Sequence, residues 1–288
     1  MAQTIANVTA NRKRRRRPEI SAFQWLTLAL VALFIIVPFY TTVLGGFKSI
    51  GELRTNPFGL PASWDPVNFT GIIFETGLFR SLWNSLFIAL STVVLSVLVS
   101  SMAAFALAHI RFFGSKFLMS FFMLGLLFPA GTAILPLFIK LRDLGLLDKH
   151  LGIIIAQVAF SLAFSIVLFH SFFKRLPSEL IDAARMDNCG YLKIYWYITL
   201  PLSLPIIATV GVFNFVGSWN SFLLPLIVLN TDTNYTWPLG IMQFQGQYGS
   251  DWPKILAYLT LTILPAVGFF LLAQRYIISG LTGGAVKG

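Results

Sequence analysis

Amide and hydroxyl side chains recur at helical spacing inside two long apolar segments of this sequence. Asn214, Ser218 and Ser221 follow one another at steps of four and three residues, so they share one face of a helix. Gln157 and Ser161 repeat the pattern in an earlier segment. Such groups can replace the hydrogen bonds that a polyhydroxyl solute makes with water, and they can also join neighbouring helices. Both interpretations remain open from the sequence alone.

Groups that would support catalysis or metal binding are scattered. The histidines His109, His150 and His170 lie far apart, without acidic or cysteine neighbours at ligand spacing. The single cysteine, Cys189, excludes an internal disulfide. A membrane-embedded enzyme would need clustered carboxylates or a Ser/His pair near the membrane surface, and we identify neither. We therefore predict no metal site, no catalytic residue and no cofactor in this chain.

The energy source for any transport is predicted to lie outside this chain. The sequence has no G-x-x-x-x-G-K-[ST] phosphate loop, so ATP would have to bind to another polypeptide. Its apolar segments carry no Asp, Glu, Lys or Arg at their centres, which argues against a carrier driven by protons or ions.

The composition indicates an integral membrane protein. Of 288 residues, 56% are hydrophobic and 11% are charged, and the mean hydropathy is +0.77. A soluble domain carries about 25% charged residues. A membrane-spanning helix needs about 20 consecutive apolar residues, and six segments satisfy this requirement. They are residues 20–47, 82–108, 117–139, 151–173, 198–229 and 255–274.

The positions of the basic residues predict the orientation in the membrane. Most of the 21 Lys and Arg residues fall in segments that are cytoplasmic when the N-terminus is inside. The basic run 12–17 stands directly before the first apolar segment, so we interpret it as a topology anchor and expect no nucleic acid partner. That apolar segment is too long for the core of a signal peptide. We predict an all-α integral membrane protein with six spans and both termini in the cytoplasm (N-in, C-in).

The loops divide the predicted bundle into four parts. A basic cytoplasmic segment, 1–19, precedes the first transmembrane helix and an outer loop, 20–81. A core transmembrane domain, 82–278, and a cytoplasmic tail, 279–288, complete the chain. Within the core, two connections are long: a cytoplasmic loop at 174–200 and an external loop at 230–254.

The cytoplasmic loop predicts two short helices around a turn. It reads LPSELIDAARMDNCG over residues 176–190 and continues to Leu200-Pro201. Ser178 is a candidate N-cap, and Asn188 to Gly190 form a turn that accepts positive φ. The small side chains of Ala183 and Ala184 would let this helix enter a groove of another protein.

This loop resembles the EAA motif of membrane subunits in type I ATP-binding-cassette (ABC) importers. Asp182-Ala183-Ala184, Asp187 and Leu200-Pro201 match that motif in order and spacing. The glutamate of the motif is replaced by Asp182, its glycine by Asn188, and the small residue that follows by Cys189. In that family the loop docks onto a cytoplasmic ATPase subunit. The resemblance implies an ATPase contact for Asp182, Ala183, Ala184, Asp187, Asn188 and Gly190.

The external loop and the tail resemble the carbohydrate branch of these importers, in particular the second membrane subunit of the maltose type. The resemblance is carried by 236–241, 243–246, Asp251-Trp252 and the tail that ends in GAVKG. It implies that the external loop reaches toward a sugar-binding protein and that the tail, 280–288, reaches between the ATPase subunits. An interfacial aromatic belt is the alternative interpretation. The external-loop candidates are Gln243, Phe244, Gln245, Gln247 and Tyr248.

The two resemblances together imply a type I ABC importer permease-like bundle for sugars. Its expected partners are a homologous permease subunit forming a heterodimer, a dimer of ABC ATPase subunits that use ATP and Mg, and an extracytoplasmic sugar-binding protein. The alternatives are the same importer with an amino acid or another small solute as cargo, and a membrane-embedded enzyme. The identity of the sugar does not follow from the sequence.

Overall fold

The computed structural model describes residues 21–246 and 249–283, most of which are helical. Short 3-10 helices at 130–133, 232–234 and 241–244 and a π-helical turn at 195–199 connect the longer elements. The antiparallel strands are β1 Gln245–Gly246 and β2 Gly249–Ser250. The α-helices are α1 Ala22–Gly45, α2 Ile50–Thr55, α3 Val67–Glu75, α4 Leu78–His109, α5 Ser115–Gly125, α6 Ile134–Asp143, α7 His150–Phe173, α8 Ser178–Met186, α9 Tyr191–Ile194, α10 Leu200–Leu202, α11 Leu204–Trp219, α12 Leu223–Val228, α13 Trp237–Gly240 and α14 Trp252–Gly283.

Between three and five apolar spans are supported by length and composition among the described residues. The helices α1, α4 and α7 are each long and apolar enough to cross a bilayer. Two bent pairs pass the same test when each is counted as one span: α5 with 130–143, bent by 94°, and 191–202 with α11, bent by 79°. The last helix contributes a shorter apolar stretch, Trp252–Gly268.

The prediction of one continuous helix over 117–139 is wrong, because the chain turns through a right angle there. At the end of α5, the N–H groups of residues 126–128 donate to the carbonyls three residues before them, as in a 3-10 helix. Pro129 then adopts an extended conformation with φ −72° and ψ 114°. Proline has no N–H group and disfavours a helical residue before it. The helix therefore stops before Pro129 and restarts in a new direction at Ala130.

The predicted fifth span, 198–229, is also interrupted. Ser203 leaves the helical conformation between α10 and α11, and its hydroxyl donates to the Thr199 carbonyl at 2.6 Å. Asn220 ends α11 before the separate helix α12. The elbow formed by 191–202 and α11 thus joins the cytoplasmic loop directly to the centre of the bundle.

The central helix α4 packs along α7 and against α11. Its buried face carries small hydroxyl side chains, among them Ser96, Ser100 and Ser101. Small residues allow two membrane helices to approach closely. The Ser96 hydroxyl lies 2.6 Å from the Ser161 hydroxyl of α7, and Ser101 lies 2.8 Å from the Tyr195 hydroxyl. Hydrogen bonds therefore join α4 both to α7 and to the elbow.

The outer loop after α1 is organised by one buried lysine. The Lys48 side chain is 1% exposed, and its ammonium donates to the carbonyls of Asn56, Pro57 and Gly59 at 2.8, 3.1 and 2.7 Å. An ammonium has three donors, so each of them has an acceptor. Carbonyl groups rather than a carboxylate thus hold this charge and close the loop.

Candidate functional site

The five polar residues predicted from helical spacing line one cavity. Its volume is about 360 Å³, and it lies between α7, α11 and the broken third segment. Ala130 and Gly131, at the right-angle turn, form part of its wall. This turn was not among the predicted site residues, and the signal for it in the sequence is Pro129 and Gly131 inside an apolar run. The predicted residues in the cavity wall are Gln157, Ser161, Asn214, Ser218 and Ser221.

Four of these five residues also form hydrogen bonds between helices, which confirms the interpretation that they join helices, whereas their contact with a solute stays a prediction. The Gln157 side-chain carbonyl accepts hydrogen bonds from the hydroxyls of Thr92, at 3.1 Å, and of Ser218. The Asn214 amide donates to the Ser165 hydroxyl at 3.2 Å. The Gln157 amide nitrogen is buried and has no partner within the described structure. A buried donor without an acceptor is therefore present in a residue of the cavity wall.

The chemistry of the cavity suits a neutral solute that carries hydroxyl groups. Its wall combines the amides and hydroxyls with aromatic and aliphatic side chains such as Phe160, Phe213 and Leu137. Every described residue of the wall is uncharged. The wall therefore provides hydrogen bonds and apolar contact but no general acid, general base or counter-ion.

The cytoplasmic loop forms α8, whose two faces differ sharply. Asp182 and Ala183 are exposed, as is Asp187 just beyond the helix. Ile181 and Ala184 are each 7% exposed and belong to a hydrophobic cluster with Phe169 and Phe173 of α7 and with residues of α4 and the elbow. Of the two predicted alanines, only Ala183 is thus on the free surface. The ATPase contact of Ala184 stays a prediction that its burial does not favour.

In the turn after α8, the predicted positive φ is found at one residue, Asn188. Asn188 has φ 55°, and Cys189 N–H donates to the Ala184 carbonyl at 2.9 Å, which is the Schellman arrangement of a helix C-terminus. Gly190 has φ −68° and is the N-cap residue of α9. At the other end, Pro177 occupies the N-cap position and Ser178 is the first helical residue, so the predicted capping hydrogen bond is absent.

Replacing Asn188 with alanine should lower the thermal stability of the purified protein, whereas glycine should preserve it. A left-handed residue with a Cβ but no short polar side chain costs about 1–2 kcal/mol, which corresponds to about 2–8 °C in the unfolding midpoint. Thermal unfolding of both variants in detergent measures the difference. Equal midpoints for Ala and Gly would contradict the role of φ at this position.

Of the five candidate partner residues in the external loop, only some lie on the surface. Gln243 and Gln245 are exposed, whereas Phe244 is buried with its ring centroid 5.5 Å from that of Tyr258. Gln247 and Tyr248 lie outside the described residues. The packing of Phe244 shows that the predicted aromatic surface is in part a structural core under the loop. Among the described residues of the set, the candidate partner surface consists of the two exposed amides, Gln243 and Gln245.

An unpredicted carboxylate, Asp148, clips the external loop to the turn before α7. It accepts hydrogen bonds from the hydroxyl and the N–H of Thr231 and from the N–H of Asn230, the two N–H contacts at 3.0 Å. The Asn234 side chain donates to both the carboxylate and the carbonyl of Asp148. These hydrogen bonds hold the pKa of Asp148 well below its ordinary value, and the bond from the Thr231 hydroxyl has the largest effect. The clip therefore requires the ionised form.

Replacing Asp148 with asparagine should weaken this clip at neutral pH and have little effect in acid. Asparagine also tolerates the positive φ of 56° found here, so only the charge and its acceptors change. Because the folded pKa is depressed, the stabilisation is complete above the ordinary aspartate value of about 3.9 and is lost as pH falls through the folded value. We expect the unfolding midpoint of the variant to be about 2 °C lower at neutral pH.

The measurement is thermal unfolding of both proteins from neutral pH down to about pH 3. The difference between their midpoints should narrow as the pH falls. A difference that stays constant over this range would show that the carboxylate charge is not what stabilises the clip.

Comparison with known proteins agrees with this architecture. Residues 96–279 match the family described as binding-protein-dependent transport system inner membrane component. A putative ABC transporter permease protein of Caldicellulosiruptor is 36% identical over 94% of this chain and 98% of its own. The arabinooligosaccharides permease AraQ of Halalkalibacterium halodurans is 35% identical over 96% of this chain and 100% of its own. The diacetylchitobiose permease NgcG of Streptomyces coelicolor is 32% identical over 98% of this chain and 93% of its own.

A solved structure shares the fold. A chain of a bacterial ABC transporter involved in the import of the acidic polysaccharide alginate superposes with a TM-score of 0.77, covering 95% of this chain and 96% of that one at 22% identity. The α4–α7–α11 bundle with its cytoplasmic loop is thus the fold of an ABC importer permease. The family match over 96–279 and the full-length relatives show that the chain belongs to the family of binding-protein-dependent transport system inner membrane components, which are transport permeases and not enzymes.

Proposed function

We propose that this permease carries a sugar, in the form of an oligosaccharide or a related hydroxylated solute, through the cavity between α7 and α11. The observation that carries the proposal is the uncharged wall, which combines amides and hydroxyls with apolar side chains. An amino acid or a phosphate would bring charges that need opposite charges in the wall, and the described wall has none. The relatives named for arabinooligosaccharides and diacetylchitobiose support the same class of cargo.

The proposed complex contains three further kinds of subunit. A homologous permease would complete the pathway as a heterodimer, a dimer of ATPase subunits would use ATP and Mg, and an extracytoplasmic sugar-binding protein would deliver the cargo. ATP-driven closure of the ATPase dimer would move α8, and the cluster around Ile181 and Ala184 would pass that motion to α4, α7 and the elbow. Such coupling requires different contacts in the two states of the transporter.

The decisive experiment is purification of the tagged chain from its native host in mild detergent, with identification of the co-purifying proteins by mass spectrometry. An ATPase and a second permease should accompany the chain. In a separate uptake assay with cells that express the complex, sugars should compete with one another for entry. Recovery of the chain alone after crosslinking would contradict the importer assignment. Competition by amino acids rather than sugars would contradict only the cargo.

We further propose six spans in a bacterial inner membrane, with both termini in the cytoplasm. Each bent pair then counts as one span, and α14 is the sixth. Cys189 is the single cysteine of the chain and lies in the proposed cytoplasmic loop. A membrane-impermeant thiol reagent should label it in inside-out vesicles and not in right-side-out vesicles, whereas a Cys189→Ser, Ser250→Cys variant should show the reverse.

A further inference from the structure

A second, strongly polar cleft lies at the opposite end of the bundle from the external loop. It has a volume of about 930 Å³ and opens where the ends of α4 and α7 meet α8. Three cationic residues line it: Arg111 after α4, Lys174 after α7 and Arg185 on α8. Asp182 is the acidic residue in its described wall. The wall therefore carries an excess of positive charge, which favours an anionic ligand.

The cations of this cleft are not used in ion pairs. Among the described side chains, ion pairs join Arg142 to Asp143 and Lys254 to Asp251, and neither pair involves Arg111, Lys174 or Arg185. The Arg185 guanidinium lies 5.5 Å from the centroid of the Tyr191 ring, a cation–π contact that positions it without neutralising it. The positive charge of the cleft thus remains available.

Hydrogen-bond donors of the backbone point to the same kind of ligand. The helices α5 and α8 begin at Ser115 and Ser178, and both serines line the cleft. Their N-cap residues, Gly114 and Pro177, supply no side-chain acceptor for the first-turn N–H groups. Uncapped helix N-termini attract phosphate and other anions. The Nε2 atom of His109, another wall residue, is buried without a described hydrogen-bond partner.

The surroundings of the cleft distinguish a lipid from a soluble anion. Phe112 lines the cleft, Phe113 beside it is fully exposed, and Phe117 is 73% exposed on the first turn of α5. Aromatic side chains beside cations are typical of the membrane interface. A phospholipid presents a phosphate and acyl chains together, which matches a basic cleft with an apolar rim.

We propose that this cleft binds the phosphate head group of an anionic phospholipid, whose acyl chains pack over Phe112, Phe113 and Phe117. Bound there, the lipid would contact α8 and the ends of α4 and α7 at once. The composition of the membrane would therefore influence the position of α8. This role is separate from the transported cargo, and it does not depend on which solute the central cavity accepts.

The test is native mass spectrometry of the tag-purified native complex in nanodiscs that contain phosphatidylcholine with or without phosphatidylglycerol. The wild type should retain phosphatidylglycerol in preference to phosphatidylcholine. An Arg111→Gln, Lys174→Gln variant should lose roughly 30-fold in that retention, since each cation near anionic lipid contributes about fivefold. The matched control is Lys116→Gln, Lys193→Gln, which removes the same charge from exposed residues outside the cleft wall.

Four outcomes would overturn the proposal. Wild-type protein that retains both lipids equally has no anionic-lipid site, and this measurement stands even if the cleft variant fails to fold. An equal loss in the control variant indicates diffuse surface charge. Displacement of the lipid by inorganic phosphate at similar concentration assigns the cleft to a soluble anion. Loss of the ATPase subunit from the cleft variant, with lipid retention unchanged, assigns the cleft to that protein contact.

Discussion

The Gly217→Phe variant is expected to insert and assemble normally yet to transport nothing above the background of cells that lack the chain. Gly217 lies on α11 in the wall of the central cavity, and a Cβ built on it meets no atom within 4 Å. A phenylalanine there enters open space instead of the packed core. The residue should therefore obstruct the pathway at little cost in stability, with the unfolding midpoint within about 2 °C of the wild type.

The control for this variant is Gly268→Phe on α14. Gly268 also has open space around its Cβ position, but it is outside the cavity wall. Uptake of the labelled cargo and unfolding midpoints should be measured for both proteins in the same membranes. Normal uptake by Gly217→Phe would place the transport route elsewhere. Equal loss in both variants would show that added bulk, and not the cavity, explains the defect.

The Ala183→Phe variant should separate ATP hydrolysis from uptake. Ala183 is on the exposed face of α8. The resemblance to the EAA motif implies that this face docks onto an ATPase subunit. A large side chain on that face should prevent close docking without disturbing the fold. We expect uptake to fall to background and ATP hydrolysis to lose its dependence on cargo, while the unfolding midpoint stays within about 2 °C of the wild type.

The neighbouring substitution Ala184→Phe provides a matched comparison. Ala184 is 7% exposed in the cluster with Ile181 and Phe173, so the same side chain overpacks the core at a cost of about 1–3 kcal/mol. That variant should unfold several degrees lower, and Ala183→Ser should retain uptake. Thermal unfolding and uptake, measured on the same proteins, distinguish a loss of docking from a loss of core packing. Full uptake by Ala183→Phe would refute docking through this face.

Local chemistry allowed some of the site to be predicted from the sequence. Asn188 tolerates positive φ because its own short polar side chain compensates the backbone, so the turn after α8 followed from residue type. Gln157 and Asn214 were placed with their serine neighbours because helical spacing fixes which residues share a face. Both predictions depend on a few consecutive turns of helix, which is the range over which sequence pattern is informative.

The remaining features depend on tertiary contacts. The apolar run 117–139 has the length of one span, and proline is tolerated in membrane helices, so Pro129 and Gly131 alone did not distinguish a 94° turn from a continuous helix. Ala183 and Ala184 are adjacent and identical, and only packing against α7 buries one of them. The clip of Asp148 joins groups more than 80 residues apart in the sequence, at a distance where spacing carries no signal.

The two loops on the outer side of the proposed topology differ in the acceptors that hold them, and this predicts different behaviour in an acidic medium. The loop closed by Lys48 relies on three backbone carbonyls, which do not gain protons over the pH range of a bacterial habitat. The loop held by Asp148 relies on a carboxylate, which does at sufficiently low pH. Because the pKa of Asp148 lies well below its ordinary value, only strong acid should loosen the connection before α7, and the same acid should leave the outer loop closed by Lys48 intact.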